Sequence, residues 1–125
     1  MSYDSYLVKN ENTIFELTKE DLKLLFDLIP IMRVTKDYKN SLLVKEFPEL
    51  AYKSKIMLDF DWSKWDKGNE IVMDDNFDYS TLDKISLCKL LTAIVQSERY
   101  IHNGLIDYFE DNSILKLLES LEKTF

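Results

Sequence analysis

At 125 residues the chain lies in the single-domain range, and 46% hydrophobic against 31% charged residues is the composition of a soluble globular protein that can bury a core without disulfide or metal staples. Its net charge of −7 disfavours direct nucleic-acid binding, which draws most of its affinity from basic side chains releasing phosphate counterions. The single cysteine, Cys88, excludes an intrachain disulfide framework, and with no bilayer-length apolar run and no signal-peptide pattern at its start the chain is expected to be cytoplasmic and not membrane-bound.

In chain order, residues 1–17 read as an N-terminal arm or a short β-hairpin, because Tyr6-Leu7-Val8 and Ile14-Phe15 flank the polar Lys9-Asn10-Glu11-Asn12. Residues 18–125 read as one helical domain. Thr18 and Asp21 have capping-box spacing, and Leu22, Leu25, Phe26 and Ile29 follow at helical intervals, so the first helix is expected over 19–32 with a kink or early end at Pro30. Residues 34–43 lose the pattern and form a connection. Pro48 suits the first turn of a second helix, whose buried side would be Leu50, Ile56, Met57 and Phe60.

After Phe60-Asp61-Trp62-Ser63-Lys64-Trp65 the sequence becomes a polar, acidic stretch read as a loop through Asp78. Ser80 and Asp83 are a second capping-box pair, opening a main helix with Leu87, Leu90, Leu91, Ile94, Val95 and Ile101 as its apolar stripe and Gly104 as its stop. Leu105, Ile106, Tyr108 and Phe109 make a short helix. Asp111-Asn112-Ser113 then caps a last one carrying Ile114, Leu117, Leu118 and Leu121. The expected fold is therefore all-α, a compact single-domain bundle of about five helices.

Two places attract functional attention. Between Asp59 and Asp83 eight acids stand against two lysines, a local net charge of −6, with Trp62 and Trp65 at its edge. Such aromatics beside an acidic rim are either interface anchors or wedges packed on neighbouring helices. Asp59, Asp61, Ser63 and Glu70 mimic EF-hand ligand positions, but Lys64 stands where that loop needs glycine, and no metal is expected there. One histidine and one cysteine do not make a zinc site, and no cofactor motif occurs.

The second place is the polar notch Ser97-Glu98-Arg99 with His102-Asn103-Gly104 inside an apolar run. Glu98 and His102 are four apart and can meet on a helix, Arg99 could hold an anion, and Tyr100 lies between them. Against an enzyme, no nucleophile with a base and an orienting group can be assembled, and a histidine near a helix end is stabilised by the helix itself.

The run Leu90-Leu91-Thr92-Ala93, Arg99-Tyr100, Gly104 and Ile114-Leu115, together with Phe60-Asp61-Trp62 and Trp65, resembles domain-of-unknown-function family 6508, small proteins that are mainly bacterial and phage-borne. The resemblance covers residues 22–121. Gln96 stands where the family usually has an arginine, Asn112 where it has a glycine, and the region 34–48 is shorter than usual. It implies a helical fold and no mechanism.

The reading that follows is a non-enzymatic protein-interaction or regulatory module. Trp62, Trp65, Asp74, Asp75 and Asp78 would meet a partner with a basic surface, and in a phage setting this would be inhibition of a host protein by charge mimicry. The alternative is a small-molecule or nucleotide-derivative binder, or a weak enzyme, using a pocket at Glu98, Arg99, Tyr100 and His102. A homodimer through the last two helices is a further expectation.

Overall fold

A computed structural model of the chain describes residues 4–97 and 104–125. Among these residues it is all-α, with eight helices: α1 (Asn12–Phe15), α2 (Lys23–Phe26), α3 (Leu28–Val34), α4 (Leu42–Lys53), α5 (Asp66–Val72), α6 (Lys84–Ser97), α7 (Gly104–Glu110) and α8 (Ser113–Lys123). The excess over the expected number has three sources: one expected helix is split, and α1 and α5 form where none was expected.

Among the described residues no hairpin forms at the N-terminal end. Asn10 instead nucleates a helical turn, its Oδ1 accepting from the Asn12 N–H at 3.0 Å and its carbonyl from Thr13 Oγ1 at 2.9 Å. Val8 pairs with the distant Leu58 in an isolated parallel bridge. Its N–H donates to the Met57 carbonyl at 2.8 Å, and its carbonyl accepts from the Asp59 N–H at 2.9 Å.

The capping box at Thr18 and Asp21 forms as spaced: Asp21 Oδ2 accepts from the Thr18 N–H at 2.8 Å, and Thr18 Oγ1 from the Asp21 N–H at 3.3 Å. The box closes a turn over 19–22 and opens no helix there: α2 starts only at Lys23, without a side-chain cap, and the expected helix 19–32 divides again at Asp27. A proline ring crowds the carbonyl four residues back, here that of Phe26, and a new helix starting at Leu28 puts Pro30 in its first turn, where no amide donor is required.

The second helix also lies earlier than expected. α4 begins after Ser41, whose Oγ accepts from the Leu43 N–H at 3.1 Å, and Pro48 falls inside it rather than at its start. α4 ends at Lys53, and Lys55 takes the left-handed conformation, φ 63°. Ile56, Met57 and Leu58 are buried in an extended stretch beyond the helix, not along one of its faces. Thr92 holds that stretch to α6: its Oγ1 accepts from the Leu58 N–H at 2.9 Å and donates to the Cys88 carbonyl at 2.7 Å.

The main helix starts later than its sequence signal. Asp78 caps a 3-10 turn at Tyr79–Thr81. Asp83 is the residue before α6, accepting from the Ser86 N–H at 2.7 Å, so it serves as a cap and not as the partner of Ser80. Gly104 opens α7.

The core forms where α8 packs on α3, α6 and α7. Ile114, Leu117, Leu118 and Leu121 of α8 are fully buried, as are Leu87, Cys88, Leu90 and Leu91 of α6. The apolar stripe of the last helix is thus spent inside the molecule. Burial pushes the Cys88 thiol up to about 12, which leaves it protonated and unreactive. Arg33 pairs with Glu119 at 3.0 Å across α3 and α8, and Lys84 Nζ sits 3.8 Å from the centroid of the Phe125 ring.

Candidate functional site

The bridge at Val8 and the Thr92 hydroxyl fix the path of the chain into Phe60, and from there the acidic segment is more ordered in its architecture than its sequence suggests. Asp61 caps a 3-10 turn at Trp62–Lys64, its Oδ1 accepting from the Ser63 N–H at 3.2 Å and from Ser63 Oγ at 2.5 Å. The Ser63 hydroxyl holds the Asp61 carboxyl below the usual range. α5 follows at once, so the stretch that mimics an EF-hand loop is a turn and a helix. Among the described residues no group of three or more histidines, cysteines or carboxylates is placed to hold a metal ion.

Both tryptophans are half-buried. Trp65 meets Phe60 edge-on, with ring centroids 5.7 Å apart at 77°, and its six-membered ring lies against Gly68 of α5. A Cβ at position 68 would fall inside the van der Waals envelope of the indole, so this close approach requires glycine. Trp65 is therefore a packed wedge, and it is also one wall of a cavity.

That cavity is a slot of about 250 Å³ where α5 crosses α6 and α7 reaches across. Trp62, Trp65, Gly68, Asn69, Val72 and Met73 line one side. Ala93, Ile94 and Ser97 of α6 and Tyr108 of α7 complete it. Met73 stands at its mouth with 83% of its surface exposed. Only the two tryptophans were visible as site candidates in the sequence. Gly68, Val72 and Met73 belong to a stretch whose acids made it read as a loop, although Trp65, Gly68, Ile71 and Val72 keep helical intervals.

Next to the slot lies a smaller acidic cleft of about 200 Å³, with Val72 lining both. Asp74, Asp75 and Asp111 rim it, with Tyr79, Ser113 and Lys116. Burial and then the carboxylates of Asp111, Asp74 and Asp75 push the Tyr79 phenol up, against a hydrogen bond with Ser113 that lowers it. Tyr108 is raised by burial first and then by Asp111. Asp74, Asp75 and Asp78 are all exposed. Asp74 Oδ1 accepts from the Asn76 N–H at 3.0 Å, and Asp78 Oδ1 from the Ser80 N–H at 3.0 Å and Ser80 Oγ at 2.6 Å. The Ser80 hydroxyl holds the Asp78 carboxyl below its usual value. The structure thus brings Trp62, Trp65, Asp74 and Asp75 to neighbouring cavities joined at Val72.

Residues 30–125 match the model of DUF6508, a family of unknown function. The chain belongs to that family. No curated protein and no solved structure matches it. The DUF6508 match begins at Pro30, so it takes in every residue of the slot and leaves α1 and α2 outside.

Glu98, Arg99, Tyr100 and His102, the candidates for a ligand pocket, lie outside the described residues. Two roomier cavities, about 590 and 430 Å³, flank Tyr38 on the connection between α3 and α4. They are wide-mouthed, and Lys36, Lys39 and Lys45 stand on their walls. No helix among the described residues is long and apolar enough to cross a membrane.

Proposed function

We propose that this protein is a non-enzymatic interaction module that docks a positively charged protein surface on its 59–83 face. The observation that carries this reading is the tryptophan slot set among acids. Tryptophan and tyrosine are enriched at binding hot spots and methionine at interfaces generally, and here they line one concavity beside Asp74 and Asp75.

The size of the slot favours this reading over a small-molecule site at that place. Ligand and cofactor pockets usually run from about 300 to 1,000 Å³ and enclose their occupant. At about 250 Å³ the slot falls short of that range. It suits side chains presented by another protein. The larger cavities near Tyr38 are wide-mouthed, and a further cavity of about 320 Å³ lies at Tyr6, Val8, Leu17 and Lys55, away from the acidic face.

Charge gives the sign of the partner. Along the slot's own helix and the loop after it, Asp66, Glu70, Asp74, Asp75 and Asp78 stand against Lys67, and from α8 Lys116 lines the same cleft and Lys123 acts on Asp78. Complementary charge raises association rates and rejects acidic surfaces, and it does so less as salt rises. The test is affinity capture from extract of the source organism at two salt concentrations. Wild type is compared with a triple variant, Asp74→Asn, Asp75→Asn and Asp78→Asn. Asparagine keeps the Asp78 cap because its side-chain oxygen still accepts from Ser80, so charge changes while the turn stays. A basic partner retained at low salt and lost in the triple variant supports the proposal. A partner set indifferent to both salt and the three substitutions refutes it.

A further inference from the structure

We infer that the slot at Trp62, Trp65, Val72, Met73, Ala93 and Tyr108 receives one apolar side chain from a basic amphipathic segment of the partner. The inference rests on the reading of the 59–83 face as the docking surface, and adds what selects among basic partners.

Charge alone accepts any positive surface, so a module relying on it would be promiscuous. The slot supplies a second criterion. Its floor is pre-formed: Trp65 is held between Phe60 and Gly68, which leaves little ordering cost on binding. Its mouth is adaptable, because the exposed Met73 has an unbranched side chain that can close over occupants of different shape. Asn69 adds a polar group to the lining, and Ser97, whose hydroxyl donates to the Ile94 carbonyl at 2.9 Å, offers only an acceptor to the backbone of an incoming segment. The acids of α5 and its following loop then face the charged residues that flank the anchor.

A partner presenting an anchor of leucine size between lysines or arginines satisfies both criteria. Burying such an anchor is worth about tenfold to a hundredfold in affinity. An acidic segment with the same anchor is repelled. A basic segment without it binds only through screened charge.

Three synthetic peptides of one length test this on the full chain by titration calorimetry. The first is an amphipathic leucine–lysine helix. The second has its leucines replaced by serine, and the third its lysines by glutamate. The first is expected to bind at least about tenfold more tightly than the second, and the third not to bind. Ala93→Leu, which fills the slot, is expected to abolish the leucine advantage while leaving the serine peptide's affinity unchanged. Met73→Ser, at an exposed position where folding is not at stake, is expected to reduce the same advantage.

Equal affinity of the leucine and serine peptides for wild type overturns the inference, as does an advantage that survives both variants. Salt-sensitive binding of the serine peptide alone would sink the slot and leave the acidic-face reading standing. Failure of both basic peptides at low salt would count against the two together.

Discussion

Thr92 is fully buried, and its hydroxyl is the acceptor for the N–H of Leu58, itself only 3% exposed. Replacing it by valine keeps the shape and removes the acceptor. The Leu58 amide is then left buried without its partner, which costs about 1–3 kcal/mol. The added methyl group returns about 0.8 kcal/mol through burial, so the net loss is about 0.2–2.2 kcal/mol. For a chain of 125 residues the unfolding entropy near the midpoint is about 0.26 kcal/mol/K. The midpoint of Thr92→Val should therefore fall by about 1–8 °C in a thermal melt.

Thr92→Ser also loses a methyl group and is destabilised, so the melt alone does not isolate the hydrogen bond. Amide hydrogen exchange does. Leu58 should lose protection in Thr92→Val and keep it in Thr92→Ser. Equal protection of Leu58 in both variants would refute the claim that this hydroxyl fixes the chain's entry into the site.

Other outcomes follow from single features. Lys55 is exposed and sits at φ 63°, so Lys55→Gly should raise stability by about 0.5–1 kcal/mol in chemical denaturation. Asp83→Ala removes the α6 cap and should cost about 1 kcal/mol, while Asp83→Asn should cost less near neutral pH. The backbone N–H of Ser86 lowers the Asp83 carboxyl. Its contribution is thus complete above the ordinary aspartate value of about 3.9 and is lost as the pH falls below it, and that part of the acid limb should flatten in Asp83→Asn. Tyr79 is shifted upward by burial and neighbouring carboxylates, so its neutral form stabilises the fold below about pH 10 and that stabilisation is lost as pH rises further. A pH series of melts should show weaker alkaline destabilisation in Tyr79→Phe.

The core was readable because α6 and α8 carry apolar residues at helical spacing and bury that stripe. The reciprocal hydrogen bonds of Thr18 and Asp21 were readable because their chemistry is local, although they close a turn and the helix starts only at Lys23. Ser80 and Asp83 were not, since the same residue types also suit a 3-10 turn followed by a fresh helix, and the buried Tyr79 favours that outcome. Ile56 and Met57 look helical in sequence but are held extended by partners at Val8 and Thr92, both more than thirty residues away. The site was half legible. Trp62 and Trp65 stand out in composition, whereas Ala93, Ser97 and Tyr108 reach the slot only through helix packing and carry no local signature. Gly68 was not legible as part of the site, since only the fold shows the indole lying on it.

The chain has only two tryptophans, and both line the slot, so their indole N–H signals are direct reporters of its occupancy. The decisive measurement is a two-dimensional ¹H–¹⁵N NMR titration of the labelled full chain with the leucine–lysine peptide. Docking on the acidic face through the slot requires both indole signals to shift together with the amides of Asn69, Val72, Met73, Asp74 and Asp75. Unmoved indole signals, with shifts confined to the Tyr38 connection or absent altogether, would contradict it.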